Sequence, residues 1–186
     1  MALGAVIDAS PLIYFARLGR LALIAQVVGE VGVCPAVYHE AVVAGRQRGH
    51  PDATRIAQAL QGGDLRVVTL DAPEQQLANQ LLGDPRLGPG ECETIACAQH
   101  RGIVAILRDR KARQVAAGQG VRTLKSTDLL FLGLLRGRLT LADFKQDLRR
   151  LAQITGIDAA TLIETELLAD EIAALVAQVK GAKQDG

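Results

Sequence analysis

Five acidic residues of the 186-residue chain stand where an α/β protein would bring them together. Asp8 closes the apolar run Gly4-Ala5-Val6-Ile7, and Asp109 follows the run Ile103-Val104-Ala105-Ile106-Leu107 after one intervening residue. Glu40 lies early in a helix opened by Pro35, while Glu91 and Glu93 open a helix straight after Gly88-Pro89-Gly90. The ends of parallel strands and the starts of the helices after them share the carboxyl edge of the sheet, where such folds place their sites. Carboxylates gathered in one crevice repel each other, and the usual resolutions are a divalent cation or partial protonation. Oxygen-only ligands select Mg2+ or Mn2+ over zinc. A hard cation held this way activates water and neutralises charge in phosphoryl transfer, so a phosphodiester is the natural substrate. Each acid alone also has a structural explanation, as an N-cap or as a charge favoured by a helix dipole. On a regular helix Glu91 and Glu93 point about 200° apart, so only one faces a metal squarely; an irregular start at Gly90 would let both reach.

The elements that must position these acids alternate. Strands are predicted at 4–7, 31–34, 65–70, 103–107 and 121–123. Helices are predicted from an N-cap at Ser10 to Gly19 and at 21–28, from Pro35, near 52–61, and at 73–82, 91–101, 109–118 and 126–135. Gly83 to Gly90 reads as a loop. The run 103–107 is rich in β-branched residues and does not alternate, the mark of a strand covered on both faces. The alternation gives α/β with a parallel sheet. From Thr140 on, the chain is helical: Thr140-x-x-Asp143 forms a capping box and Gly156 is a stop. Asp158 caps a last helix containing Leu162, Leu168, Ile172, Leu175 and Val179, with a frayed end from Gly181 to Gly186. The predicted division is 1–138 for the α/β domain and 139–186 for a C-terminal helical extension.

Composition narrows the class. With 49% hydrophobic and 22% charged residues the chain is globular. It has no apolar run long enough for a membrane span and no basic leader at its start, so a cytoplasmic protein is expected. Cys34, Cys92 and Cys97 lack the spacing of a zinc site and read as reduced core thiols. The net charge is only +1, but its distribution is uneven. Arg101 to Lys125 carries seven basic residues against the single acid Asp109, and Gly156 to Glu171 carries five acids with no Lys or Arg. Arg108, Arg110, Lys111 and Arg113 adjoin the acid cluster, where they would hold a phosphate backbone without reading bases. The alternative is a helix kept soluble by its charges. Neither a phosphate loop nor a dinucleotide-binding glycine pattern is present. The first motif is Asp-x-Ser, not the Asp-x-Asp of phosphoaspartate phosphatases.

Four segments resemble, in order, the acidic motifs of PIN domains. They are Val6-Ile7-Asp8-Ala9-Ser10-Pro11-Leu12-Ile13, Pro35-Ala36-Val37-Tyr38-His39-Glu40, Gly90-Glu91-Cys92-Glu93-Thr94-Ile95-Ala96 and Ala105-Ile106-Leu107-Arg108-Asp109. Gly-Glu-x-Glu is also similar to the third acidic motif of flap endonucleases, and the interval from Glu91 to Asp109 is that of VapC-type toxins. The C-terminal helices resemble those of a less characterised branch of predicted nucleic-acid-binding PIN proteins. The resemblance implies a three-layer fold, a central parallel sheet flanked by helices. It implies a Mg2+- or Mn2+-dependent endoribonuclease with Asp8, Glu40, Glu91 and Asp109 around the metal. Glu93 would be a fifth acid and Ser10 a polar companion of Asp8. RNA, a cognate antitoxin and a second copy of the chain are the implied partners. The competing expectation is a PIN-like module that binds RNA or protein without cutting.

Overall fold

The computed structural model describes residues 3–182. The chain forms two compact units, Met1–Ser126 and Thr127–Gly186. The first holds a five-stranded, wholly parallel sheet of β1 (Leu3–Ile7), β2 (Glu30–Val33), β3 (Leu65–Val67), β4 (Val104–Ile106) and β5 (Thr123–Leu124), in the order β3-β2-β1-β4-β5. Ala5, Val6 and Ile7 of central β1 are consecutive and fully buried. Successive side chains of a strand point to opposite faces, so helices cover both faces and the three-layer α/β expectation holds.

The first helices follow their strands almost without a loop. After β1 come α1 (Ala9–Leu18) and α2 (Leu21–Val28), and after β2 comes α3 (Pro35–Tyr38). A π-helical stretch, His39–Ala44, then joins α3 to α4 (Gly45–Gln47) with helical backbone at both junctions, giving one rod. Next are α5 (Pro51–Gly62), α6 (Ala72–Leu81), α7 (Pro89–Arg101) and α8 (Arg110–Gly118). Helix α1 starts one residue after the strand with Asp8 at its N-cap, so Ser10 is not the cap; Pro11 sits harmlessly in the first turn. The strand expected at 65–70 ends at Val67, and the predicted loop yields to helix at Pro89.

Two contacts fix the layers that carry the acids. Gly4 lies where the β1–β2 register slips between Leu3 and Ala5, a bulge that presses β1 against the end of α2. Glu74 of α6 is fully buried and pairs with Arg101 of α7, Nε donating to Oε1 at 2.6 Å and Nη2 to Oε2 at 2.9 Å. Arg101 also donates to the Thr69 carbonyl. Arg101→Met leaves a buried carboxylate without its cation, and we expect a loss of about 3–5 kcal/mol in urea unfolding. A loss under 1 kcal/mol would show the pair to be dispensable.

The second unit is helical: α9 (Ser126–Leu135), α10 (Leu141–Thr155) and α11 (Ala159–Ala182). The division between the two units falls between Ser126 and Thr127. Phe131 of α9 packs on buried Phe144 of α10 with ring centroids 4.7 Å apart, which joins α9 to the helices after it. The Thr140/Asp143 capping box forms, Gly156 ends α10 in the left-handed region, and Asp158 accepts the Thr161 N–H. Of the five acids between Gly156 and Glu171, Glu166 and Asp170 pair with Arg149 and Lys145 of α10. Ile163, Leu167, Leu168 and Leu175 stay exposed on α11. Gly181 and Ala182 are helical rather than frayed, while residues 183–186 and the side chain of Val179 lie outside the described residues.

Candidate active site

The carboxyl edge of the sheet carries the acids. Asp8 continues the ladder past β1, its N–H donating to the Ile106 carbonyl at 3.0 Å. The residue is 6% exposed, and burial pushes its carboxyl up to about 7 from 3.8, with the charges of Glu91 and Glu40 adding to the effect. The amides of Ala9 and Ser10 pull the other way.

Asp8, Ser10, Glu40, Gly88, Gly90 and Glu91 line one cavity of about 210 Å3. Helix α7 enters it through Gly90, where a Cβ would stand 3.2 Å from Asp8 Oδ1 and 3.8 Å from Glu40 Oε2. The absent side chain is what lets the carboxylates of β1 and the π-helical stretch approach α7. The sequence reading placed Gly90 at the end of a loop and the head of the Gly-Glu-x-Glu segment, and assigned no role to its missing side chain.

The acids differ in what holds them. Glu91 Oε2 accepts the Gly88 N–H at 2.9 Å, and burial, followed by the charges of Asp109 and Glu40, raises its pKa. Glu40 is exposed on the π-helical stretch. Asp109 caps α8, Oδ1 accepting from Lys111 N at 2.7 Å and Ala112 N at 3.0 Å, and these amides hold its pKa low. Its carboxylate is outside the cavity lining, although its charge reaches Glu91. Glu93 turns away on the regular helix and accepts the Ala36 N–H at 2.7 Å, tying the start of α3 to α7. Among the described residues no three acidic, imidazole or thiol groups already surround a single point as a preformed metal site.

The basic cluster divides in a similar way. Arg110 and Lys111 are exposed beside Asp109. Arg108 places its guanidinium 5.5 Å from the centre of the Tyr14 ring, a cation–π contact. Arg113 is half-buried and donates to the carbonyls of Leu107 and Arg108, bracing the β4–α8 turn. Sequence reasoning did not single out Thr94, whose buried Oγ1 has no hydrogen-bond partner. No periodic pattern distinguishes an orphaned hydroxyl from a capped one. The three cysteines are buried and free, as expected.

The fold and the site together define an α/β protein with acids drawn to the carboxyl edge of a parallel sheet. The chain belongs to the PIN-domain family, whose sequence model matches residues 4–171. This is a fold generally used by nucleases that bind nucleic acid. No curated protein matches the chain in sequence. In fold the chain is similar to the crystal structure of PAE2754 from Pyrobaculum aerophilum, at 18% identity and a TM-score of 0.50, covering 72% of this chain and 98% of that one. Among the described residues no single helix is long and apolar enough to cross a membrane.

Proposed function

We propose that this protein is a Mg2+- or Mn2+-dependent endoribonuclease of the cytoplasm, acting as the toxin of a type II toxin–antitoxin pair. One observation carries this reading: the cavity lined by Asp8, Glu40, Glu91 and Ser10 offers three carboxylates and a hydroxyl with no nitrogen or sulfur side-chain donor. That donor set fits a hard divalent cation. Asp8, Glu40, Glu91 and Asp109 would hold it. When bound, the cation supplies Lewis-acid activation of the attacking water and charge neutralisation at phosphorus.

The chain's own residues do the rest. Asp8 must be ionised to serve; its carboxyl sits at about 7 in the protein alone and a cation beside it would pull that down, so metal binding should weaken as pH falls. Glu91 and Asp109 each spend one oxygen on amides, which fixes the carboxylate and leaves the other oxygen for the site. Ser10 lines the same cavity and would offer its hydroxyl to the bound cation or its water. Glu93 secures the rod that carries Glu40. Arg110 and Lys111 hold the RNA backbone, and Arg108 holds the rim through Tyr14. A homodimer and an antitoxin complete the reading, and sedimentation at micromolar concentration tests the first.

The test is cleavage of end-labelled single-stranded and structured RNAs with Mn2+, Mg2+ or chelator, beside Asp109→Asn. Asparagine caps a helix as well as aspartate does, so stability should change by only a few tenths of a kcal/mol. Loss of an acid at the metal should cost at least the ~100-fold that loss of an outer-sphere partner costs. A folded, Mn2+-binding wild type that cuts none of these RNAs would leave the non-catalytic module instead.

A further inference from the structure

The acid cavity is lined by carboxylates, a hydroxyl and two glycines, with no ring or apolar side chain, so it offers no face on which a base could stack. Tyr14 is buried beneath Arg108. A second groove lies on the other side of the rod that bears Glu40. It measures about 320 Å3 and is lined by Tyr38, Arg46, Ala57, Leu60, Gln61 and Val67. Resting on the ribonuclease reading above, we propose that this groove receives a base of the RNA strand next to the phosphate held at the acids.

Chemistry and position both support this occupant. The half-buried Tyr38 ring, Leu60 and Val67 make an apolar lining, and Val67 is 45% exposed although large and apolar. The exposed Gln61 amide presents a donor and an acceptor, and the exposed Arg46 guanidinium a positive charge. A flat apolar face, a polar edge and an attached phosphate are what a nucleotide brings, and single-stranded RNA is read by such stacking and edge contacts. Val6, Gly32 and Arg66 lie in one row across β1, β2 and β3. Val67 is thus one residue beyond that row and Asp8 two, both at the carboxyl edge and two strands apart. Two strand spacings are about 10 Å, within the span of neighbouring nucleotides. Tyr38 and Glu40 are two positions apart on the rod, which turns one toward each cavity. Another cavity, between Pro73, Gln76, Leu77, Gln80, Gln99 and His100, includes the end of α7 away from the acids and holds no carboxylate.

Two arms test the groove. The first is anisotropy of labelled single-stranded oligoribonucleotides on the full chain with chelator present. The second is cleavage with sequencing of the cut ends. Tyr38→Leu and Gln61→Ala should each weaken binding about tenfold, raise KM with little change in kcat, and flatten base preference at one position beside the cut. Tyr38→Phe should keep the parent's behaviour. Gln61 is on the surface, so its variant stays informative if Tyr38→Leu fails to fold. Unchanged affinity and cutting profile in folded Tyr38→Leu and Gln61→Ala would overturn the groove while leaving the nuclease intact. Binding that depends on Tyr38 without any cutting would keep the groove and remove the nuclease. No RNA binding by the wild type, or capture of a protein in its place, would remove the groove.

Discussion

Asp8→Asn should give a protein that is more stable than its parent at pH 8 in chelator, and inert when metal is added. The carboxyl of Asp8 has its pKa raised from 3.8 to about 7, chiefly by burial. Below pH 3.8 folded and unfolded chains both keep the proton. Between these values the folded chain keeps it and the unfolded chain releases it, so stability falls as pH rises. Above pH 7 the full penalty applies, on the order of 4 kcal/mol at 1.36 kcal/mol per pKa unit. Asparagine carries no charge but must still place an amide in the same site, so recovery of about half, roughly 2 kcal/mol, is expected. In a chain of this length that raises Tm by about 4–8 °C. Scanning melts in chelator at pH 5 and pH 8 check it: the advantage of the variant should be large at pH 8 and shrink at pH 5. Mn2+ should raise the Tm of the parent by mass action and leave the variant where it was. A variant less stable than the parent at pH 8 would mean that the ionised carboxylate is already stabilised by its surroundings.

A second large structural loss, felt at the site as well, is expected at Gly4→Ala. The added Cβ would stand 1.9 Å from the Val28 carbonyl oxygen and 3.0 Å from its carbon, both backbone atoms with no rotamer to yield. Overpacking against side chains costs about 1–3 kcal/mol, so a clash with main chain should reach or exceed the top of that range. Relief requires β1 to move, and Asp8 lies at the far end of the same strand. The substitution should therefore lower the urea midpoint and also weaken Mn2+ binding in whatever remains folded. Gly62→Ala, in helix α5 with open space around it, is the matched control and should be neutral or stabilising by up to about 1 kcal/mol. Equal midpoints for Gly4→Ala and the parent would sink the prediction.

Much of the site was legible because local rules decided it. Apolar runs fixed β1 and β4, and an acid just past each must sit at the carboxyl edge. The Gly-Pro-Gly segment located the start of α7 to within two residues, the helix opening at Pro89 inside it, and the Thr140/Asp143 pair fixed the start of α10. What escaped is tertiary. Glu93 looked like a fifth acid, yet its carboxylate serves an amide 57 positions away, which no local pattern records. Arg113 looked like a backbone clamp for RNA but supports its own turn. The Ser10-Pro11 pair mimics a helix start, and only the direct join of β1 to α1 moves the cap to Asp8. The bulge at Gly4 and the change to π-helix at His39 depend on neighbours distant in sequence.

That π-helical stretch also constrains how this chain can vary. At one end of the rod, Val37 meets Gly90, where a Cβ would lie 3.2 Å from its Cγ2. At the other end, Gly45 runs so close to α5 that a Cβ would lie 2.8 Å from that of Ala53. The surplus residue within 39–44 is the offset between two dials on one shaft. Deleting it would restore an ordinary helix and turn one dial by about 100° against the other, detaching Glu40 from its register or Gly45 from its seam. Related chains are therefore expected to keep the length of this stretch constant and to retain Glu40 and small apolar side chains at the buried positions 41 and 42, with variation at the exposed His39.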